Sequence, residues 1–215
     1  MRVELDNVEL YFDDKRILSG IYLKAETNRI TGILGRNGCG KTSLLKILFG
    51  SLTPHNRLVR INNKGTLKPL YKSKIVSYLP QHDVLPRHIK IKIAFSLYHV
   101  SWNEFVREFP GFKQYTNSKI KHLSGGEQRV VEFYLCAKKP AQLLLLDEPF
   151  SHVAPVYVER FMDIIRTESN TKAIICTDHL YEHILTLAND LYYLQGGNIR
   201  LVKKHEELRE FGYLV

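Results

Sequence analysis

The sequence predicts an α/β domain built around a mostly parallel sheet, and three observations carry that prediction. A short apolar strand, a glycine loop and a helix follow one another across residues 29–50. A run of four leucines, Leu143 to Leu146, ends in the carboxylates Asp147 and Glu148. A second apolar strand, Lys172 to Thr177, ends at Asp178 and His179. A chain of 215 residues, 44% apolar and 25% charged, suits one well-buried domain or a domain with a small inserted lobe.

The N-terminal stretch, about Met1 to Ala25, reads as an antiparallel β part that the chain rejoins near Leu58 to Tyr78. Arg29 to Leu34 is short and β-branched, as a buried strand is. Behind it, Gly35-Arg36-Asn37-Gly38-Cys39-Gly40-Lys41-Thr42 fits G-x-x-x-x-G-K-[ST] in full. Ser43 to Phe49 then has helical spacing and ends at Gly50, a C-cap residue type. The glycines let successive backbone N–H groups turn inward around phosphate oxygens, and the helix N-terminus faces the same anion. Lys41 reaches the β- and γ-phosphates and the Thr42 hydroxyl is suited to Mg²⁺, so a nucleoside triphosphate is the expected ligand. Cys39, just ahead of that helix, is expected to carry a thiol of lowered pKa.

Beyond Tyr78-Leu79-Pro80-Gln81, helical runs at Ile91 to Tyr98 and Trp102 to Phe109 predict a compact helical lobe at about 87–122. Leu123-Ser124-Gly125-Gly126-Glu127-Gln128-Arg129 follows, with a helix expected from about Glu127. Four leucines in a row suit a central parallel strand buried on both faces. Carboxylates at its C-terminal end project into the crevice where such sheets bind ligands. Asp147 is suited to hold Mg²⁺ through water and Glu148 to polarise an attacking water. His179, at the tip of a strand expected beside the phosphate-loop strand, faces the same crevice.

Composition excludes some classes and leaves others open. No run approaches the ~18 apolar residues of a membrane span, and MRVELDNVEL lacks the apolar core of a secretory signal. A cytoplasmic location is the expectation. Three separated cysteines, Cys39, Cys136 and Cys176, read as reduced thiols rather than a disulfide frame or zinc site. The net charge of +9 suits nucleic acid, an anionic membrane surface, a polyanionic ligand or simply a basic surface.

Taken in this order, these elements resemble the nucleotide-binding domain of ATP-binding cassette (ABC) proteins over nearly the whole chain. The resemblance implies a P-loop NTPase fold: a mostly parallel central sheet with an N-terminal antiparallel β subdomain and a small inserted helical subdomain, one domain over 1–215. It implies ATP and Mg²⁺ as cofactors. Gln81 matches the Q-loop glutamine that reaches Mg²⁺ beside Thr42 and Asp147, Glu148 the catalytic glutamate, and His179 the switch histidine, with Lys41 also in the catalytic set. Phe12, with Tyr11 as the alternative, matches the aromatic residue that stacks on adenine, and Gly35 to Ser43 the phosphate loop. Ser124, Gly125, Gly126 and Gln128 match the signature, which in this family caps the ATP held by a second cassette packed head to tail.

The implied function is ATP hydrolysis that drives a separate transmembrane permease, docked in the groove between Q-loop and helical lobe. The cassette would pair with itself or with a paralogous cassette, peripheral on the inner face of the cell membrane. The rival reading is a non-transport cassette ATPase acting on nucleic acid or ribosomes. Only about eighty residues separate phosphate loop and signature, with no long coiled-coil or zinc insertion, so no nucleic acid partner is expected. Two departures from the family stand out. Ala154 takes the place of the D-loop acid, with His152 bulky beside it, which puts the coupling of paired sites in doubt, and the helical lobe is short.

Overall fold

A computed structural model describes residues 1–179, 181–204 and 206–213. Two sheets share the chain. The first is antiparallel, in the order β2-β1-β4-β5, from β1 (Arg2–Phe12), β2 (Lys15–Glu26), β4 (Asn56–Ile61) and β5 (Lys64–Thr66). The second has six strands in the order β10-β9-β3-β8-β7-β6. Here β3 (Ile30–Leu34), β6 (Val76–Leu79), β7 (Leu143–Asp147), β8 (Ala173–Thr177) and β9 (Asp190–Gln195) run parallel, and β10 (Asn198–Val202) is an antiparallel edge.

The expected rejoining of the antiparallel part holds only for its first half. Val76–Leu79 leaves it and pairs in parallel with β7, Tyr78 opposite Leu145. Burial is the reason: Val76, Ser77 and Leu79 are enclosed, and the Ser77 hydroxyl is satisfied by donating to the Cys136 carbonyl at 2.7 Å.

The four leucines show why β7 is central. Leu143 and Leu145 pack into the core beneath the antiparallel sheet and α1 (Lys41–Phe49), while Leu144 and Leu146 pack against α4 (Gly125–Lys138) and α5 (Pro155–Ser169). Side chains alternate across a strand, so a run apolar at every position serves two cores. α1 ends at Gly50, the expected C-cap.

The helical lobe comprises α2 (Ile91–Tyr98), α3 (Trp102–Glu108) and short 3₁₀ turns. Its centre is aromatic: the Phe105 ring lies 5.0 Å from Phe95, 5.0 Å from Phe112 and 4.9 Å from Tyr134 of α4. Rings at such separations add attraction beyond their area burial. Tyr134 thereby ties the lobe to the helix that follows the signature. After β8 the chain continues through α6 (Tyr181–Leu187), β9, β10 and α7 (Glu207–Glu210).

Candidate functional site: a nucleotide cleft at the strand ends

The loop from Gly35 to Gly40 joins the end of β3 to the first turn of α1. At Gly35 a Cβ would lie 2.5 Å from the Leu194 carbonyl oxygen and 2.6 Å from Cys39 Sγ, so no other residue fits there. Lys41 is buried, and its ammonium donates to the carbonyls of Gly35 at 2.7 Å and Arg36 at 3.4 Å. The charge is thus held across the mouth of the loop, where phosphate oxygens can replace the carbonyls as partners.

A cavity of about 430 Å³ opens over this loop, lined by Phe12, Ile17, Asn37, Gly38, Gly40, Lys41, Thr42, Ser43, Gln81 and Glu148. Residues drawn from β1, the loop, α1, the segment after β6 and the end of β7 converge here. Phe12 is 49% exposed and faces this space, whereas Tyr11 packs edge-on against His55 at 5.1 Å. Of the two aromatic candidates, Phe12 is therefore the one on the cavity. Gly35, Arg36 and Asn37 share an adjoining depression with His179.

Asp147 is fully buried at the floor. Its Oδ1 accepts from Thr177 at 3.0 Å and Thr42 at 3.2 Å, and its Oδ2 from the Tyr78 hydroxyl at 3.0 Å. Burial pushes its carboxyl above the usual aspartate range, against the pull of those three hydroxyls. The Tyr78 phenol is pushed up as well, by its own burial and then by the charge of Asp147. Next to it, Glu148 sits at a left-handed φ of 49°, uncommon for a residue with a side chain. Its Oε2 lies 3.2 Å from His179 Nδ1 and 3.5 Å from the Ser151 hydroxyl. The two residues expected to act on water and γ-phosphate are thus in contact.

Hydroxyl, carboxylate and amide oxygens from Thr42, Asp147 and Gln81 form a hard, oxygen-only donor set, which fits Mg²⁺. Among the described residues no group of three or more His, Cys, Asp or Glu could by itself hold a metal.

The signature stands apart from this cavity. Ser124 and Gly125 are exposed at the start of α4, and none of residues 124–126 lines the cleft. α4 begins at Gly125, two residues earlier than the sequence suggests, because Ser124 and Glu127 form a reciprocal capping box. A Cβ at Gly126 would come 3.2 Å from the His152 carbonyl oxygen, so the segment after Glu148 stacks on the signature backbone.

Two expectations fail here. Gln128 is buried and donates to Glu132 Oε1 at 3.0 Å, since it lies in the body of α4; its side chain does not face a ligand at the cap. The Cys39 thiol is raised, not lowered: burial outweighs the nearby Lys41 charge and the backbone N–H groups that favour the thiolate.

Sequence reading also missed Tyr78, Thr177, Ser151 and Arg129. The buried Arg129 guanidinium donates to the carbonyls of Pro80 at 2.6 Å, Glu148 at 2.9 Å and Asp147 at 3.1 Å. Thr177 ends β8 in register with Asp147, a pairing that the sequence does not encode locally.

Residues 18–151 match the family model described as "ABC transporter". The chain is 32% identical over 220 residues to an uncharacterized ABC transporter ATP-binding protein of Methanocaldococcus jannaschii, covering 99% of this chain and 82% of that one. It is 27% identical to a probable branched-chain amino acid transport ATP-binding protein of Archaeoglobus fulgidus, over 93% of this chain and 90% of the relative. Its fold is similar to the solved ATP-binding subunit of an ABC transporter, with TM-score 0.82 at 18% identity, covering 99% and 94% of the two chains. A bacterial Atm1-family ABC exporter with ATP bound gives TM-score 0.82 at 20% identity, over 97% of this chain and 40% of that one.

Proposed function

The chain belongs to the ABC transporter family as an ATP-binding chain that hydrolyses ATP, and from that premise we propose that two cassettes close head to tail around two ATP and drive a separate transmembrane permease. The carrying observation is the single cavity that gathers Phe12, the phosphate loop, Gln81 and Glu148, with His179 against Glu148. Phe12 stacks on adenine, and the loop amides from Gly35 to Ser43 with Lys41 hold the phosphates. Thr42, Gln81 and Asp147 would hold Mg²⁺, which when bound neutralises charge on the phosphate oxygens. The Glu148 carboxylate orients and polarises the attacking water, and His179 fixes that carboxylate while reaching the γ-phosphate.

The amides of Gly125 and Gly126, with Ser124, supply the cap on the ATP of the second cassette. Exposed Gln81, His82 and Asp83, near α2 with its exposed Ile93 and Leu97, border the groove for the permease. Among the described residues no helix is long and apolar enough to cross a membrane. The cassette on this reading is one domain, cytoplasmic and held at the inner face of the membrane by its permease.

Glu148→Gln tests the scheme. It keeps shape and hydrogen bonding but removes the general base, so turnover falls by ~10²–10⁴-fold while ATP binding survives. ATP then holds a stable dimer visible by light scattering, and adding Ser124→Arg breaks that dimer without abolishing ATP binding. A dimer indifferent to Ser124→Arg refutes the signature's role.

A further inference from the structure

The signature helix α4 grips the Q-loop at both ends. At the near end Arg129 donates to the Pro80 carbonyl at 2.6 Å. At the far end Glu132 Oε1 accepts the backbone N–H groups of Val84 at 2.9 Å and Leu85 at 3.0 Å. Between these anchors Gln81, His82 and Asp83 are exposed, and among the described residues they make no hydrogen bond. Their placement therefore depends on the two anchors.

Arg129 does more than hold one stem. The same guanidinium donates to the carbonyls of Asp147 and Glu148, the last two residues before the chain turns away from β7. A rigid planar fork with fixed donor directions sets the spacing of the groups it bridges. Here those groups are the backbone one residue before Gln81 and the backbone of the two acids. Burying a guanidinium with no direct ion pair to Glu132, one turn along, is costly, and a well-packed apolar pair is often at least as stable. Burial pulls the Arg129 pKa down, opposed by the carboxylates of Glu132, Asp147 and Asp83. Such an arrangement is poorly explained as packing and well explained as alignment.

We propose that Arg129 is a positioning residue that sets Gln81 at the distance from Asp147 and Glu148 required for Mg²⁺-dependent nucleotide binding. The inference rests on the reading of Gln81 as a metal contact, and its test separates the two.

The measurement is the affinity of the full chain for a fluorescent non-hydrolysable ATP analogue, with Mg²⁺ and with EDTA; the ratio of the two affinities is the Mg²⁺ enhancement. Arg129→Met should cut that enhancement by about tenfold, the scale of losses when an outer-shell partner of a metal site is removed, and Gln81→Ala by at least as much. Affinity in EDTA should stay within about twofold, because neither residue supports Phe12 or the phosphate loop. The double variant should lose no more than Gln81→Ala alone, as for two residues acting through one contact.

An unchanged enhancement in Gln81→Ala overturns the reading of Gln81 and the inference with it. Loss in Gln81→Ala but not in Arg129→Met overturns the inference alone. So do additive losses in the double variant, or an equal fall of affinity with and without Mg²⁺, which marks a structural role. Where Arg129→Met does not fold, Arg129→Lys replaces it: one ammonium cannot bridge three carbonyls, so a partial loss of enhancement is expected and full retention overturns the proposal.

Discussion

Removing the Tyr78 hydroxyl isolates one hydrogen bond to a buried charge. Tyr78 is the donor to Asp147 Oδ2, while Thr177 and Thr42 serve Oδ1. Its ring packs at a tilt against Phe49, 5.2 Å between centroids, so Tyr78→Phe keeps the packing and deletes only the O–H. A hydrogen bond to a charged group contributes roughly 1.5–3 kcal/mol, and here its loss strands one oxygen of a fully buried carboxylate. At about 2–4 °C per kcal/mol for a domain of this size, the melting temperature near neutral pH should fall by roughly 3–12 °C. The pH dependence has a definite sign. Asp147 is already held above its unfolded pKa by burial, so its ionised form weakens the fold at neutral pH. Losing Tyr78 raises the folded pKa further. The extra destabilisation is therefore full above that raised pKa and shrinks as pH falls through it and the carboxyl takes up a proton. Thermal unfolding of both proteins across the acid range measures this. An offset that is absent at neutral pH, or unchanged in acid, refutes the reasoning.

Three further outcomes are expected. Phe12→Ala should weaken ATP and ADP alike by roughly 5- to 150-fold, since a base–aromatic stack is worth ~1–3 kcal/mol; Tyr11→Ala should leave both unchanged, and the reverse pattern in equilibrium binding refutes the adenine assignment. Cys39, raised by burial, should label slowly with maleimide near neutral pH, faster in alkali, and more slowly again with ATP bound; fast labelling at neutral pH contradicts the structure. Ala154 is the N-cap of α5 and offers no side-chain acceptor. Ala154→Asp should thus stabilise by about 0.5–2 kcal/mol, and an unchanged melting temperature counts against that cap geometry.

What the sequence made legible was whatever is local in the chain. The phosphate loop, Asp147 with Glu148, and the lobe helices at 91–98 and 102–108 depend on short-range spacing, which periodicity and motif capture. The strand at Val76–Leu79 has only four residues, with Ser77 and Tyr78 interrupting its apolar character, so nothing in the chain distinguished one sheet from the other. Tyr78, Thr177 and Arg129 act on Asp147 from 69, 30 and 18 residues away, and no spacing rule joins them. Cys39 misled for a different reason. A helix N-terminus and Lys41 both favour the thiolate, but the burial of the thiol, which no motif records, outweighs them.

The capping box bears directly on the proposed cap. The Ser124 hydroxyl donates to Glu127 Oε2 at 2.8 Å, and the Ser124 backbone N–H donates to the same oxygen at 2.8 Å. One hydroxyl proton cannot serve a phosphate while it serves Glu127, so the free N–H groups of Gly125 and Gly126 must carry the first contact. Glu127 also accepts from Tyr115 at 2.8 Å. Burial raises its carboxyl, but the Ser124 and Tyr115 hydrogen bonds outweigh burial and keep it below the usual range, hence ionised. A carboxylate then sits within a turn of amides meant for a polyanion. With screening, that repulsion is on the order of 1 kcal/mol per site, about fivefold in affinity. Glu127→Gln retains the acceptor for the cap and removes the charge, because Gln serves at this position of a capping box. In the Glu148→Gln background, ATP-driven pairing should therefore occur at a protein concentration lower by roughly 25-fold, two sites of about fivefold each contributing. Light scattering across a concentration series reads it. If pairing is unchanged or weaker while the monomer melts at the same temperature, Glu127 does not face the phosphates of a second cassette.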